Sequence, residues 1–301
     1  MENKNFDVII IGGSYSGLSA GMSLGRSLRN VLIIDNGKPC NRQTPHSHNF
    51  ITHDGKTPAE IAQLAKKDVE KYNTVKFYNG TVAKTIKTTE GFDVEISSGE
   101  KFHAKKLILA SGIKDLMPAI PGFAECWGIS VLHCPYCHGY EVKNEVTGIL
   151  SNGDMAYEFS KLIFNMTKNL TLFTNGKAAL TDEQIEKLNQ NKIILNEDEI
   201  VAIKHENGSI QKIVFKNGKE ITLQALYAKI PFEQNINASG DLGCELTEQG
   251  FIKIDMMQKT TVPGVFACGD NVTMMRSVAN AIAQGNFTGA VVNKELADEE
   301  F

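Results

Sequence analysis

Residues 6–20 read FDVIIIGGSYSGLSA and residues 31–35 read VLIID. The run Phe6–Gly13 is apolar without alternation and too short for a helix, which predicts a buried parallel strand. It breaks on glycines, after which Leu18, Met22, Leu24 and Leu28 recur at near-helical spacing. Val31–Asp35 predicts a second buried strand that ends in a carboxylate. Strand, glycine turn, helix, strand and terminal acid make a dinucleotide-binding βαβ unit. Gly12 and Gly17 let backbone N–H groups and the helix N-terminus approach a pyrophosphate, while Asp35 is placed to bind a ribose hydroxyl. The middle glycine of G-x-G-x-x-G is replaced by Ser14, which is small and can offer its hydroxyl to a phosphate.

Composition sets the wider frame. The 301 residues are 42% apolar and 22% charged, an ordinary globular mixture whose length suggests two domains. A net charge of −4 and a pI near 6.0 leave no basic footprint for nucleic acid. No apolar run reaches the length of a membrane span. The polar start Met1–Asp7 does not read as a signal peptide, so the expected location is cytoplasmic.

Further along, residues 57–72 carry a helical pattern, and the segments 74–77, 80–87 and 92–96 predict a meander of short strands. Lys106–Gly112 (KLILASG) predicts another buried strand, followed by Pro118 and Pro121 at a crossing between domains. Residues 145–150, a turn at 151–156 with Gly153, a helix to about Phe164 and a strand at 170–173 form a second βαβ unit. Its glycine turn is worn, and Thr174-Asn175-Gly176 stands where an acid or arginines would close the second strand. Residues 181–189 predict a helix and 193–230 another strand meander. Near the C-terminus, TVPGVFACGD (261–270) predicts a buried strand and a Gly-Asp turn before a helix bearing Arg276, Ala279, Ile282 and Ala283.

Residues 133–141 read HCPYCHGYE and place Cys134 and Cys137 at the spacing of a dithiol that closes and reopens. His133 and His138 raise a metal alternative. Both abut the cysteines directly, a spacing that packs poorly around one tetrahedral ion, so redox is the favoured reading. The other cysteines, Cys40, Cys126, Cys244 and Cys268, are expected to be small buried hydrophobes.

These pieces in this order resemble the low-molecular-weight thioredoxin reductases, FAD-dependent pyridine-nucleotide disulfide oxidoreductases, over nearly the whole chain. CPYCHGYE is similar to a subgroup that includes bacterial thioredoxin reductase-like proteins and fungal dithiol oxidases. The resemblance implies an α/β fold of two Rossmann-like three-layer dinucleotide-binding domains, the second inserted in the first, with short antiparallel β-meanders. It implies an FAD domain over 1–115 and 239–301, a central domain over 118–237, and a homodimer. It makes Cys137 the flavin-facing sulfur, Cys134 the sulfur that exchanges with substrate, and His138 the acid/base. Cofactor contacts are implied at Gly12, Ser14, Gly17, Asp35, Asn49, Gly112, Gly153, Gly269, Asp270, Arg276, Ser277 and Val278. The expected reaction passes electrons from NADPH or NADH through FAD and the dithiol to a thioredoxin-like protein or a small disulfide. The second turn keeps open a ferredoxin-linked reductase and a dithiol oxidase using oxygen. A non-catalytic FAD module, or a flavin reductase with incidental cysteines, is the reading from another class.

Overall fold

The side chains of Val8-Ile9-Ile10-Ile11 point alternately to two buried faces, and that period of two gives the first part of the molecule its layers. The computed structural model describes residues 4–301, so Met1–Asn3 of the polar start lie outside the described residues. The chain opens with β1 (Asn5–Ile11), α1 (Tyr15–Arg26), β2 (Val31–Asp35), α2 (Pro58–Val69), β3 (Val75–Asn79), β4 (Val82–Lys87), β5 (Phe92–Ile96), β6 (Lys101–Leu109) and β7 (Ile113–Asp115). It continues with α3 (Phe123–Cys126), β8 (Val131–Leu132), α4 (Pro135–His138), β9 (Thr147–Leu150), α5 (Gly153–Phe164), β10 (Leu170–Phe173), α6 (Asp182–Gln190) and β11 (Ile194–Asn196). Then come β12 (Ile200–Glu206), β13 (Ser209–Phe215), β14 (Glu220–Thr222), β15 (Ala225–Ala228), β16 (Phe232–Gln234), α7 (Ala238–Leu242), β17 (Val265–Ala267) and α8 (Val278–Glu300).

The chain divides into two units, one of Met1–Arg42, Pro58–Lys114 and Phe232–Phe301, the other of Gln43–Thr57 and Asp115–Pro231. Residues 43–57, which the sequence reading leaves within 1–115, therefore group with the second unit. Residues 232–237, expected in the central domain, group with the first, where β16 pairs with β7.

In the first unit a seven-stranded sheet runs β3-β2-β1-β6-β5-β4, with β17 also on β6. Val8, Ile10, Ile33, Ile108 and Phe266 pack on one face against Leu18, Leu24, Val69, Val292 and Leu296 of the helices. Ile9, Ile11, Leu32, Ile34 and Leu107 pack on the other with Phe92, Val94, Val262 and Ile252. Both faces of the parallel strands are thus covered, as continuous apolar runs require. The meander is smaller than its expected span. β3 pairs parallel to β2 (Val31↔Val75), leaving β4, β5 and β6 as the antiparallel part. Strand β6 starts earlier than expected because its first half, Lys101–Ala104, pairs with β5, while Leu107–Leu109 pairs with β17. Leu28, expected on the apolar stripe of α1, lies beyond the helix end in the left-handed region and is exposed.

The second unit repeats the plan. Its parallel sheet runs β11-β10-β9-β15-β8, with β12-β13-β14 as a separate antiparallel sheet. The expected meander over 193–230 is accordingly shorter. Ile194–Asn196 and Ala225–Ala228 join the parallel sheet, because Ala225 and Tyr227 face one apolar cluster and Leu226 and Ala228 the other. Among the described residues no helix is long and apolar enough to cross a membrane.

Candidate active site

The first turn is built by close approach. Gly12 has φ +108°, and a Cβ there would lie 2.2 Å from the Ala110 carbonyl oxygen; one on Gly17 would lie 1.8 Å from the Gly12 carbonyl oxygen. Only glycine permits this crossing of β1, α1 and the end of β6. Asp35, at the end of β2, accepts from the Gly13 N–H at 2.6 Å and the Gly37 N–H at 2.7 Å, which fixes its carboxylate beside the turn. Ser14 is the N-cap of α1 but makes no side-chain cap bond among the described residues. The N-terminal donors of a helix need partners, and an anion at this end answers that need.

Helix α8 brings the C-terminal segment to the same turn. Gly285 and Gly289 of α8 lie so close to α1 that a Cβ would meet the Ser16 and Ala20 carbonyl oxygens at 2.1 and 2.7 Å. Ser19 adds a hydrogen bond to the Ile282 carbonyl at 2.7 Å. Gly269, at φ +93°, would place a Cβ 2.6 Å from Ser16 Oγ. Asp270 follows, with the Arg276 guanidinium Nε 3.5 Å from its carboxylate, and Asn271 is buried with its amide donating to the Leu109 carbonyl. Ser277 caps α8 by accepting from the Asn280 N–H, with Val278 next in the helix. Gly112, at φ +65°, follows β6 on the same sheet edge. The first unit therefore gathers Gly12, Ser14, Gly17, Asp35, Gly112, Gly269, Asp270, Arg276, Ser277 and Val278. The glycine cradle and the carboxylates of Asp35 and Asp270 fit a flavin dinucleotide. Asn49 is not among them. It belongs to the 43–57 segment of the second unit, at φ +57° with its N–H on Asp54 Oδ1 at 2.7 Å.

In the second unit the dithiol is closed as a disulfide, Cys134–Cys137, with the two Cα atoms 5.3 Å apart. Cys134 is the N-cap of α4, Pro135 fills the first helical position, and the Cys137 N–H donates to Cys134 Sγ at 3.1 Å. Gly139 ends the turn so close to the Pro135 carbonyl that a Cβ would lie 2.4 Å from it. His138 is half-buried. Burial pushes its imidazole below the ordinary value, Glu141 pulls it back up and His48 pushes it down. The residue that follows Cys137 in the chain thus carries a ring whose neutral form is favoured.

The sequence leaves His48 without an assigned role and does not single out Glu141. His48 Nδ1 lies 3.5 Å from a Glu141 carboxylate oxygen and 3.5 Å from an Asp54 one, so the 43–57 segment reaches the residues just after α4. The E of CPYCHGYE was a signal for Glu141, but nothing local marks His48. His133 stacks on Trp127, their ring centroids 5.8 Å apart, which accounts for it by packing. His46 and His53 bind the carbonyls of Gly55 and Thr52. Among the described residues no cluster of His, Cys, Asp or Glu is arranged to hold a metal ion. Cys126, Cys244 and Cys268 are buried; burial pushes the Cys268 thiol up to about 12. Cys40 departs from the expectation of a buried hydrophobe: it is exposed, its sulfur 3.7 Å from the Asp270 carboxylate.

The second βα turn takes a different form. Asn152 caps α5, and its Oδ1 accepts from the Gly153 and Ala179 N–H groups, both at 2.8 Å. Its amide nitrogen donates to the Lys177 carbonyl at 2.9 Å. Glu197 takes the Ala178 N–H at 2.6 Å on its carboxylate and the Gly176 N–H on its carbonyl. Gly153, at φ +69°, is the glycine the sequence reading singled out here.

Comparisons with known proteins identify the family. Residues 6–285 match the pyridine nucleotide-disulphide oxidoreductase family, whose thioredoxin reductase-like members use FAD and a nicotinamide nucleotide. The thioredoxin reductase tcpT of Claviceps purpurea is 30% identical over 308 residues, covering 98% of this chain and 96% of that protein. The thioredoxin reductase aclD of Aspergillus oryzae is 29% identical over 313 residues, covering 98% of each. The crystal structure of an oxidoreductase from Agrobacterium tumefaciens superimposes at a TM-score of 0.91 with 36% identity, over 98% of this chain and 99% of that one. With its dinucleotide cradle in one unit and its dithiol in the other, the chain belongs to the pyridine nucleotide-disulphide oxidoreductase family, as a flavin-dependent disulfide oxidoreductase of thioredoxin reductase-like type.

Proposed function

We propose that the Cys134–Cys137 pair exchanges electrons with FAD held by the first unit and with the disulfide of a thioredoxin-like protein or a small molecule. The observation that carries this is the closed Cys134–Cys137 pair at the head of α4, with the Cys137 N–H on Cys134 Sγ and a half-buried imidazole next in the chain. FAD, when bound by Gly12, Ser14, Gly17, Asp35, Gly269 and Asp270, supplies the electron pair that opens the disulfide. Cys134 as thiolate attacks one sulfur of the substrate disulfide, forming a mixed disulfide and releasing the first substrate thiolate. Cys137 as thiolate then attacks Cys134 Sγ, releasing the second and closing the pair again. The Cys137 N–H stabilises the Cys134 thiolate that enters the first step. His138 moves the proton between the exchanging sulfur and the leaving thiolate.

By this reading Cys137 is the sulfur that faces the flavin and Asn49 a flavin contact, both by resemblance. A homodimer working in the cytoplasm on thioredoxin or a related disulfide follows from the likeness to thioredoxin reductases. Replacing Cys134 with serine tests the assignment. Disulfide turnover should fall to background while reduced flavin still passes electrons to an artificial acceptor. Retained disulfide turnover in Cys134→Ser would make the dithiol incidental.

A further inference from the structure

In a doubly wound domain the pyrophosphate of a dinucleotide lands on the turn after the first strand, at the carboxyl edge of the sheet, and is held by backbone N–H groups. In the second unit the Gly153 N–H of that turn already has an acceptor, and the N–H groups of the loop after β10 are taken up beside it. Gly153 and Ala179 donate to Asn152 Oδ1, Ala178 to the Glu197 carboxylate, and Gly176 to the Glu197 carbonyl. Asn152 also holds the 174–180 loop from the other side, its amide on the Lys177 carbonyl at 2.9 Å and the Thr174 carbonyl at 3.4 Å. Thr174 locks the same loop through a 2.6 Å bond to the Gly176 carbonyl. Carboxylates flank the loop, and of these Glu199 and Asp198 are paired with Lys216 and Lys219. Asp154, bonded to Gln184, lies in the first turn of α5, and Glu197, Asp198 and Glu199 follow β11. Lys177 is the only cation within 174–180. A bidentate guanidinium that would read a ribose phosphate has no counterpart in that loop.

From this we infer that Asn152 is the residue that seals the second turn against a nicotinamide dinucleotide, so NADPH and NADH do not fit the unit whose place in the fold would take them. Asn152 Oδ1 accepts from the Gly153 and Ala179 N–H groups as a phosphate oxygen would, and its amide nitrogen draws the following loop across the turn. The inference rests on the proposed dithiol–flavin reading only for its consequence, that the electrons of this enzyme travel by a route outside this turn.

The decisive measurement uses the wild-type flavoprotein. NADP⁺ and NAD⁺ titrated calorimetrically up to millimolar concentration should give no saturable heat, and amide hydrogen exchange at Gly153 and Ala179 should not change on their addition. Anaerobic NADPH and NADH should leave the flavin band intact, while dithiothreitol bleaches it through Cys134–Cys137. Saturable binding of either nucleotide, with altered protection at Ala179, overturns the inference whatever the activity. Failure of dithiothreitol to bleach the flavin counts against the dithiol reading and leaves the binding result standing. Asn152→Gly should speed exchange at Ala179 by on the order of tenfold and bring saturable nucleotide binding into the millimolar range. Exchange at Ala179 unaltered by Asn152→Gly would show that Asn152 is not the seal.

Discussion

The turn at Gly12–Gly17 and the turn at Ser151–Gly153 stand at the same place in two copies of one layered plan, and they treat an incoming anion in opposite ways. In the first, glycines let main chain meet main chain, and Ser14 leaves α1 without a side-chain cap among the described residues. In the second, Asn152 caps α5 and ties the following loop across it. The lesson is that the parallel sheet and the crossover helix make a place for a nucleotide, while a few side-chain atoms decide whether it is open.

The largest effect should come from adding one methyl group to each turn. A Cβ at position 17 would press 1.8 Å from a backbone oxygen that cannot move aside. Gly17→Ala should therefore yield protein without flavin, destabilised by about 3 kcal/mol, read from the visible absorbance per chain and the unfolding midpoint. At Gly153 the nearest atom to a new Cβ is the Ala179 carbonyl oxygen, 3.7 Å away, so only the left-handed φ is penalised. Gly153→Ala should cost about 1 kcal/mol and keep a full complement of flavin. Equal flavin loss in both variants would erase the distinction between the turns.

A second test asks where the second unit keeps its chemistry, given that its turn is closed. Burial holds the His138 imidazole below its ordinary value of about 6.5, with Glu141 opposing and His48 reinforcing the shift. For a histidine whose folded value is depressed, the unfolded chain binds the proton more readily. Stability is then unaffected above pH ~6.5 and declines as pH falls below it. The neutral ring persists into that same acid range, so dithiol exchange should hold its rate to below pH ~6.5 before an acid limb sets in. His138→Gln should slow exchange by on the order of 10²-fold and remove that limb. Glu141→Gln, by deleting the charge that favours imidazolium, should move the limb further toward acid. A limb unchanged in His138→Gln would assign the titration to another group.

Much of this was legible in the sequence, and the reason is locality. VIII, VLIID and VFA are short apolar runs with both faces buried, and the glycines after them have only a few backbone shapes to choose from. Cys134 and Cys137 carry their meaning in their spacing. What stayed hidden depends on partners far along the chain. Asn152 looks like any turn residue until the Ala179 N–H, 27 positions on, is seen donating to it. His48 lies in a loop read with the first unit, and its connection is to Glu141 of the dithiol segment. Ala225–Ala228 sits amid alternating strands, so its place between β9 and β8 in the parallel sheet was not marked. Cys40 follows a polar, proline-containing stretch, and the general rule that free cysteines are buried gave the wrong answer there.

The smallest expected effect concerns what keeps the first turn in register. Helix α8 meets α1 through Gly285 and Gly289 near its start, and near its end it is clamped to β6 by charge. Lys106 Nζ, on a side chain only 8% exposed, donates to Glu295 at 2.8 Å and to Glu299 at 2.5 Å, while Lys259 reaches Glu295 at 2.6 Å. Burial alone would push Lys106 down, but the two glutamates together hold it above its ordinary value. Burial likewise pushes Glu295 up, and the two lysines outweigh it and keep it low. Lys106→Met preserves the apolar stem and removes the charge, leaving Glu295 with Lys259. Because Glu299 is half exposed, the loss should be about 1–2 kcal/mol, a few degrees in Tm. A carboxylate with a lowered folded value stabilises above its unfolded value of about 4.3 and loses that contribution as pH falls through the folded one. The gap between Lys106→Met and wild type should therefore close in acid, below pH ~4, and stay open at neutrality. Flavin content should match wild type throughout, since the glycine contacts at the start of α8 are untouched. Flavin lost together with the charge clamp would mean that the first turn depends on the whole length of α8 and not on its glycine crossing alone.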